Sequence, residues 1–288
     1  MTTGAVIFAQ NNSGVDYVKL AVFAASKIKQ YLTIPVSIIT DSRGWLETST
    51  PDHPFDQIID IEFDSVVEFK KIKQIKKFYD GSISNKNLEW KNEDRTNVYK
   101  LSPYDKTLVI DSDYILNSNI LSSALESDYD FQIYRNSLDL AGWRDTAEFT
   151  RINQYSIPFY WATVFVFKKN PVTESFFNLI SYIKDNWEYF KLLYSVNSQV
   201  YRNDLAFSIA IHIMNGKTEG IFAVELPGKM SYILDRDILI GTDGDKMKFL
   251  VEKEKYLGEY TLVKTTGIDV HVMNKASLSR YINGGSGV

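Results

Sequence analysis

The chain has 288 residues, 44% of them hydrophobic, with 32 Lys plus Arg against 36 Asp plus Glu and a formal net charge of -4. This is enough apolar side chain for one large α/β domain with a C-terminal extension, and too balanced a charge for whole-molecule attraction to a polyanion. Cysteine is absent, which excludes disulfides, thiolate metal sites and a Cys nucleophile; no window reaches the roughly 18 apolar residues of a membrane span, and Met1 to Val6 lacks a leader's basic start, so a soluble cytoplasmic protein is expected.

Ala5-Val6-Ile7-Phe8-Ala9 reads as a buried strand, closed by the loop Gln10-Asn11-Asn12-Ser13. Val18, Val22, Ala25, Ile28 and Leu32 recur near helical spacing and predict a helix over 15–32. Pro35 to Asp41 is a second apolar strand ending in Asp, and Gln57 to Glu62 a third. Strand, helix, strand alternation implies right-handed crossovers in a mostly parallel sheet, whose ligands bind outside the carboxyl ends of the strands. Asn11, Asn12, Asp41, Asp111 and Asp113 would gather there around a nucleotide-sized crevice.

Between Ser65 and Tyr99, Val66, Phe69, Ile72 and Ile75 fall three apart among many lysines, which predicts a helix with a lysine-dense face. A solvated face is the ordinary meaning of such a pattern; a phosphate-contacting surface with Lys70, Lys73 and Lys77 is the alternative. Further strands are predicted at 130–134, 163–168, 221–225, 247–252, 260–264 and 269–273. Helices are expected over 172–194 and from Asn203 to Ala210. No internal repeat or low-complexity linker divides the chain.

The most informative stretch is Thr107-Leu108-Val109-Ile110-Asp111-Ser112-Asp113, an apolar run ending in two carboxylates one residue apart. Ionised carboxylates are costly to bury unless a positive group receives them, and Mg²⁺ or Mn²⁺ shared with a substrate's phosphates is the natural receiver. An Asx-turn closing the strand is the structural alternative. His271, inside an apolar strand, reads by itself as a core histidine, and Lys275 as an ordinary surface lysine.

The N-terminal 115 residues resemble the nucleotide-sugar half of GT-A glycosyltransferases, and the later pieces are similar to the family-8-like branch. The resemblance implies a Rossmann-like fold with a mixed α+β C-terminal part. It further implies a single domain over 1–288, with 1–115 holding the donor and 116–288 the acceptor half and extension. Ala9-Gln10-Asn11-Asn12 takes the place of the family's nucleobase loop, and Asp111-Ser112-Asp113 that of its metal and diphosphate motif. The family's late His and Lys correspond to His271 and Lys275, although His271-Val-Met-Asn-Lys275 is one step shorter and lacks the family's Gly and Pro. Arg95, with Lys100 as second choice, corresponds to a basic residue that holds the donor sugar. Asp204 falls where the family has a residue near the anomeric carbon, as base, nucleophile or positioning group; by itself it could equally cap a helix. Tyr160-Trp161 stands where the family has Asn-Ser-Gly, and Trp161 is an acceptor-stacking candidate or a core residue.

Asn11-Asn12 with Val15 to Lys19, and Leu101 to Asp105, look like glycosyltransferases of T4-like phages, some of which glycosylate hydroxymethylated cytosine with glucose or arabinose. That likeness implies a UDP-linked donor, Mn²⁺ or Mg²⁺, and double-stranded DNA as the leading acceptor in a host cytoplasm. A saccharide or protein hydroxyl comes next, and a non-catalytic nucleotide-sugar-binding module after it. Donor sugar, stereochemical outcome and oligomeric state are left open by the sequence.

Overall fold

The computed structural model describes residues 1–61, 74–79, 85–90, 92–153, 156–198, 200–253 and 258–284. Along the chain, β1 (Thr3–Phe8), α1 (Tyr17–Leu32), β2 (Val36–Thr40), α2 (Arg43–Ser49) and β3 (Gln57–Asp60) precede a hairpin, β4 (Gln74–Tyr79) and β5 (Asn85–Trp90). A 3₁₀ turn at Asn92–Asn97 runs into α3 (Val98–Leu101), followed by β6 (Lys106–Asp111), β7 (Tyr114–Ile115), α4 (Ser122–Glu126), β8 (Phe131–Tyr134), β9 (Ser137–Asp139) and β10 (Trp161–Lys168). Then come α5 (Pro171–Asp185), α6 (Trp187–Leu193), α7 (Asn203–Met214), β11 (Val224–Glu225), β12 (Met230–Ile233), β13 (Ile238–Asp243), β14 (Lys246–Glu252), β15 (Tyr260–Thr266), β16 (Val270–Val272) and α8 (Lys275–Ile282).

Seven strands form the central sheet in the order β11-β8-β10-β6-β1-β2-β3, all parallel except β10. This is the mostly parallel, helix-flanked α/β sheet expected from the alternation. β1, β2, β6 and β10 are buried along nearly their whole length, as strands covered on both faces must be, so they read as continuous apolar runs. Gly4 in β1 is required by close approach: a Cβ there would lie 2.4 Å from the Tyr104 ring. α1 is capped by Asp16, whose Oδ1 accepts from Lys19 N at 3.1 Å, and buries Val18, Ala21, Ala25 and Ile28 against the sheet. α5 and α7 close one side of the sheet through an aromatic cluster, with Phe131 to Phe176 at 4.6 Å and Phe165 to Phe207 at 5.0 Å between ring centres.

A second, four-stranded sheet (β7-β16-β12-β9) continues from the edge where β6 ends. Tyr114, His271, Tyr232 and Asp139 lie in one row across it. The antiparallel sheet β13-β14-β15 packs Leu239, Met247, Phe249 and Val251 onto Leu278 of α8 and onto Val270 and Val272.

Three expectations are corrected. Within the predicted lysine-rich helix, 74–79 and 85–90 pair as an antiparallel hairpin. Asp80-Gly81 between them is turn chemistry that the three-residue apolar spacing obscured. Lys70 and Lys73 lie outside the described residues, and Lys77 falls on β4. The helix over 172–194 is broken at Asn186, which ends α5 and precedes α6. The strand at 221–225 shrinks to the two residues of β11. Among the described residues no helix is long and apolar enough to cross a membrane.

Candidate active site

β6 delivers Asp111 to the carboxyl edge of the central sheet, beside Phe8 of β1. The chain then turns through the buried Ser112 and Asp113 into β7. Asp113 is pinned from the other sheet, because Val272 N donates to its carbonyl at 2.9 Å. That bond brings His271 opposite, with Nε2 at 3.3 Å from Asp113 Oδ2. One ligand atom each from Asp111, Asp113 and His271 can be chosen so that all lie within 4.8 Å of one another.

Lys275 is the first residue of α8, and its Nζ lies 2.6 Å from Asp113 Oδ2. α8 is held in place by the fully buried Asn274, whose Oδ1 accepts from Ser277 N at 2.9 Å while Nδ2 donates to Asp237 O at 2.8 Å. Burial alone would push the Asp113 carboxyl up, but the Lys275 ammonium and the His271 imidazole outweigh it and hold the carboxyl well below the usual range. Burial pulls Lys275 down, and Asp113, with help from Tyr17 and Asp235, more than restores it.

Arg95, from the 3₁₀ turn before α3, is 2% exposed and pairs with Asp111 while donating to Ala162 O. Its guanidinium is pulled down to about 10 by burial, against the opposing charges of Asp204 and Asp113. Asp204 sits in the first turn of α7 rather than at its cap, which is Arg202. Its Oδ1 accepts from Ala162 N at 2.9 Å and its Oδ2 pairs with Arg202 at 3.0 Å.

The donor set fits a divalent cation. Two carboxylates and an imidazole converge, and the buried Asp113 Oδ2 makes no well-angled hydrogen bond although Lys275 meets it as an ion pair. The buried His271 Nδ1 also lacks a hydrogen bond.

Other sequence candidates are placed differently. Asn11 Oδ1 accepts from Val18 N at 3.0 Å, and Asn12 Oδ1 accepts from Val15 N at 2.9 Å and Gly14 N at 3.0 Å, so both side chains shape the loop before α1. Ala9 is buried and extends the sheet through its amide to Ile39 O, Gln10 is half-buried, and Asp41 Oδ1 accepts from Ser42 Oγ at 2.7 Å. Lys100 is exposed on α3. Trp161 is 1% exposed and cannot stack on an acceptor; it packs in an aromatic group with Phe149 and Tyr232, its ring perpendicular to His271 at 6.2 Å.

Sequence reasoning missed Tyr17 and Asp235, which both act on Lys275. Tyr17 is pushed up to about 12 by burial, with Lys275 pulling its phenol down and Asp113 pushing it up. Nothing local marks either residue, since one reads as a helix start and the other as a turn Asp. A separate cavity of about 70 Å³, lined by Arg135, Tyr160, Ser208 and His212 among others, includes none of the four clustered residues.

No family model and no curated protein matches the chain by sequence. Among solved structures it is similar to the glycosyltransferase GlyE of Streptococcus pneumoniae TIGR4, at 11% identity and a TM-score of 0.44, covering 78% of this chain and 45% of that one. The chain thus spans less than half the length of the pneumococcal protein. It is also similar to galactosyltransferase LgtC in complex with donor and acceptor sugar analogs, at 13% identity, a TM-score of 0.43, and coverage of 77% and 72%. A third likeness is to the bifunctional IspDF of Campylobacter jejuni, at 11% identity, a TM-score of 0.41, and coverage of 80% and 50%. No activity follows from likeness at this level; any chemistry must come from the site's own residues.

Proposed function

We propose that this protein is a metal-dependent glycosyltransferase that moves a sugar from a nucleoside-diphosphate donor, UDP-linked, to a hydroxyl acceptor. The observation that carries the reading is the convergence of Asp111, Asp113 and His271 within 4.8 Å at the carboxyl edge of a parallel sheet, with Lys275 at 2.6 Å from Asp113. Such edges are where α/β sheets bind nucleotides.

Asp111, Asp113 and His271 would hold a divalent cation, Mn²⁺ or Mg²⁺, which when bound supplies Lewis acidity toward the diphosphate. Lys275 neutralises the charge that builds on the diphosphate as the bond from the anomeric carbon to its oxygen breaks. Arg95 orients the Asp111 carboxylate and, through Ala162 O, ties it to β10. The charge of Asp204 bears on Arg95 as that of Asp113 does, which supports a role beside the reacting sugar, positioning the acceptor hydroxyl or taking its proton. The acceptor hydroxyl's oxygen forms the new bond to the anomeric carbon.

Thermal unfolding with UDP, GDP, CDP and ADP, each with Mn²⁺ and with chelator, tests the site in wild type, Asp113→Ala and Asp113→Asn. One nucleotide should raise the midpoint only with Mn²⁺, by about 2.7 kcal/mol of stabilisation at a hundredfold excess over Kd, and the gain should vanish in both variants. No shift with any nucleotide would end this reading. Turnover of the matching nucleotide-sugar with hydroxymethylated double-stranded DNA, a saccharide or a peptide then separates the acceptor classes. Binding without turnover on any of them leaves a nucleotide-sugar-binding module.

A further inference from the structure

The donor's base still lacks a contact. Asn11 spends its carbonyl oxygen on the Val18 amide of α1, and Asn12 on the Gly14 and Val15 amides of the loop. Beside that loop stands Trp45 of α2, 49% exposed, a large apolar ring left in water. Its orientation is not free, because the indole N–H donates to Asp16 Oδ2 at 3.0 Å. The same carboxylate caps α1 through Oδ1. The next residue, Tyr17, is half-buried and within reach of the charges of Lys275 and Asp113. Trp45 is therefore tied, through Asp16, to the segment that borders the diphosphate end of the site.

Topology supplies the spacing. α1 and α2 follow β1 and β2 by crossovers of one hand, so both begin on the same side at the carboxyl edge. β2 lies two strand spacings from β6, about 10 Å, comparable to the reach from the diphosphate to the base in an extended nucleotide. We infer that Trp45 is the stacking platform for the nucleobase of the donor, held ready by its hydrogen bond to Asp16; this rests on the nucleotide-donor reading above. An aromatic ring already fixed in place loses little conformational freedom on binding, and stacking accepts any base, so choice among bases falls to hydrogen bonds from the neighbouring loop. The alternative is that the indole N–H is only a strut between α1 and α2.

Calorimetric titration of UDP, GDP, CDP, ADP and inorganic diphosphate, all with Mn²⁺, into wild type, Trp45→Ala and Trp45→Phe separates these. The platform predicts that Trp45→Ala weakens the best nucleotide about tenfold or more, that Trp45→Phe restores most of the loss, and that inorganic diphosphate binds all three alike. Equal nucleotide affinity in wild type and Trp45→Ala would overturn the platform and leave the diphosphate site standing. Parallel loss of nucleotide and inorganic diphosphate in Trp45→Ala would also overturn it, in favour of the strut. If wild type binds neither ligand, the donor reading falls and the platform with it.

Discussion

Lys275 breaks a local rule. An ammonium at the first residue of a helix faces the positive end of the helix dipole, and here it is half-buried as well. Asp113 compensates, and an incoming diphosphate would do so again, which is why such violations collect at functional sites. Lys275 and a bound cation would compete for the Asp113 carboxylate. Lys275→Met should therefore tighten Mn²⁺ binding without nucleotide by about tenfold while lowering turnover at least as much. Calorimetry and initial rates check the two halves, and weaker Mn²⁺ binding in the variant would show that Lys275 supports the cation seat instead of contesting it. At this scale Asp111 and Asp113 were legible because two acids end an apolar strand where packing does not need them, whereas His271 and Lys275 were picked out only by their likeness to a family motif. Trp161 was not, since an aromatic before a strand looks the same whether it faces a sugar or His271.

The elements that hold the site depend on a buried charge cluster away from it. Arg144, 7% exposed, pairs with Asp139 and Asp237 at 2.6 and 2.7 Å. Asp237 in turn accepts from Leu234 N and Glu252 N, and its carbonyl accepts from Asn274. One arginine thus joins β9, the loop into β13, β14 and the start of α8. Arg144→Met should cost about 3–5 kcal/mol in urea unfolding, because two carboxylates remain buried without it. Asn274→Ala should cost about 1–2 kcal/mol by loss of the cap and of the bond to Asp237, and should reduce turnover further than stability alone explains by releasing Lys275. A variant with the stability loss and full turnover would show that the cap does not position Lys275. Element type was readable where one periodicity ran long, as in α1 and β6. It failed at β4 and β5, where a helical spacing of apolar residues outweighed the turn-favouring residue types Asp80 and Gly81 in the sequence.

Across the whole molecule, exposed carboxylates tie the amino ends of the central strands. Asp56 accepts from Val36 N at 2.7 Å, at the start of β2, and pairs with Lys29 at 3.1 Å. Burial would raise its carboxyl, but the Val36 amide and Lys29 outweigh that and hold it below the ordinary 3.8. A depressed folded value means stability that is present above the unfolded value and is lost as pH falls through the folded one. Asp56→Asn should thus cost about 0.5 kcal/mol near pH 7, the ion pair being nearly half exposed and screened, and the gap to wild type should close below about pH 4. Urea midpoints from pH 7 to 3 read this directly; a gap independent of pH would assign the cost to shape alone.

The amino-acid sequence by itself determined the alternation of apolar strands and amphipathic helices, hence a mostly parallel sheet, and set two carboxylates at the end of one strand. Periodicity and composition act over a few residues, and that is the range over which they could be read. Only the tertiary structure decided that β16 lies against β7, so that His271 meets Asp113, that Arg95 turns inward to Asp111, and that Tyr17 shares a site with Lys275. Local pattern says that a face will be buried; strand order and register, set by packing across the whole core, say against what.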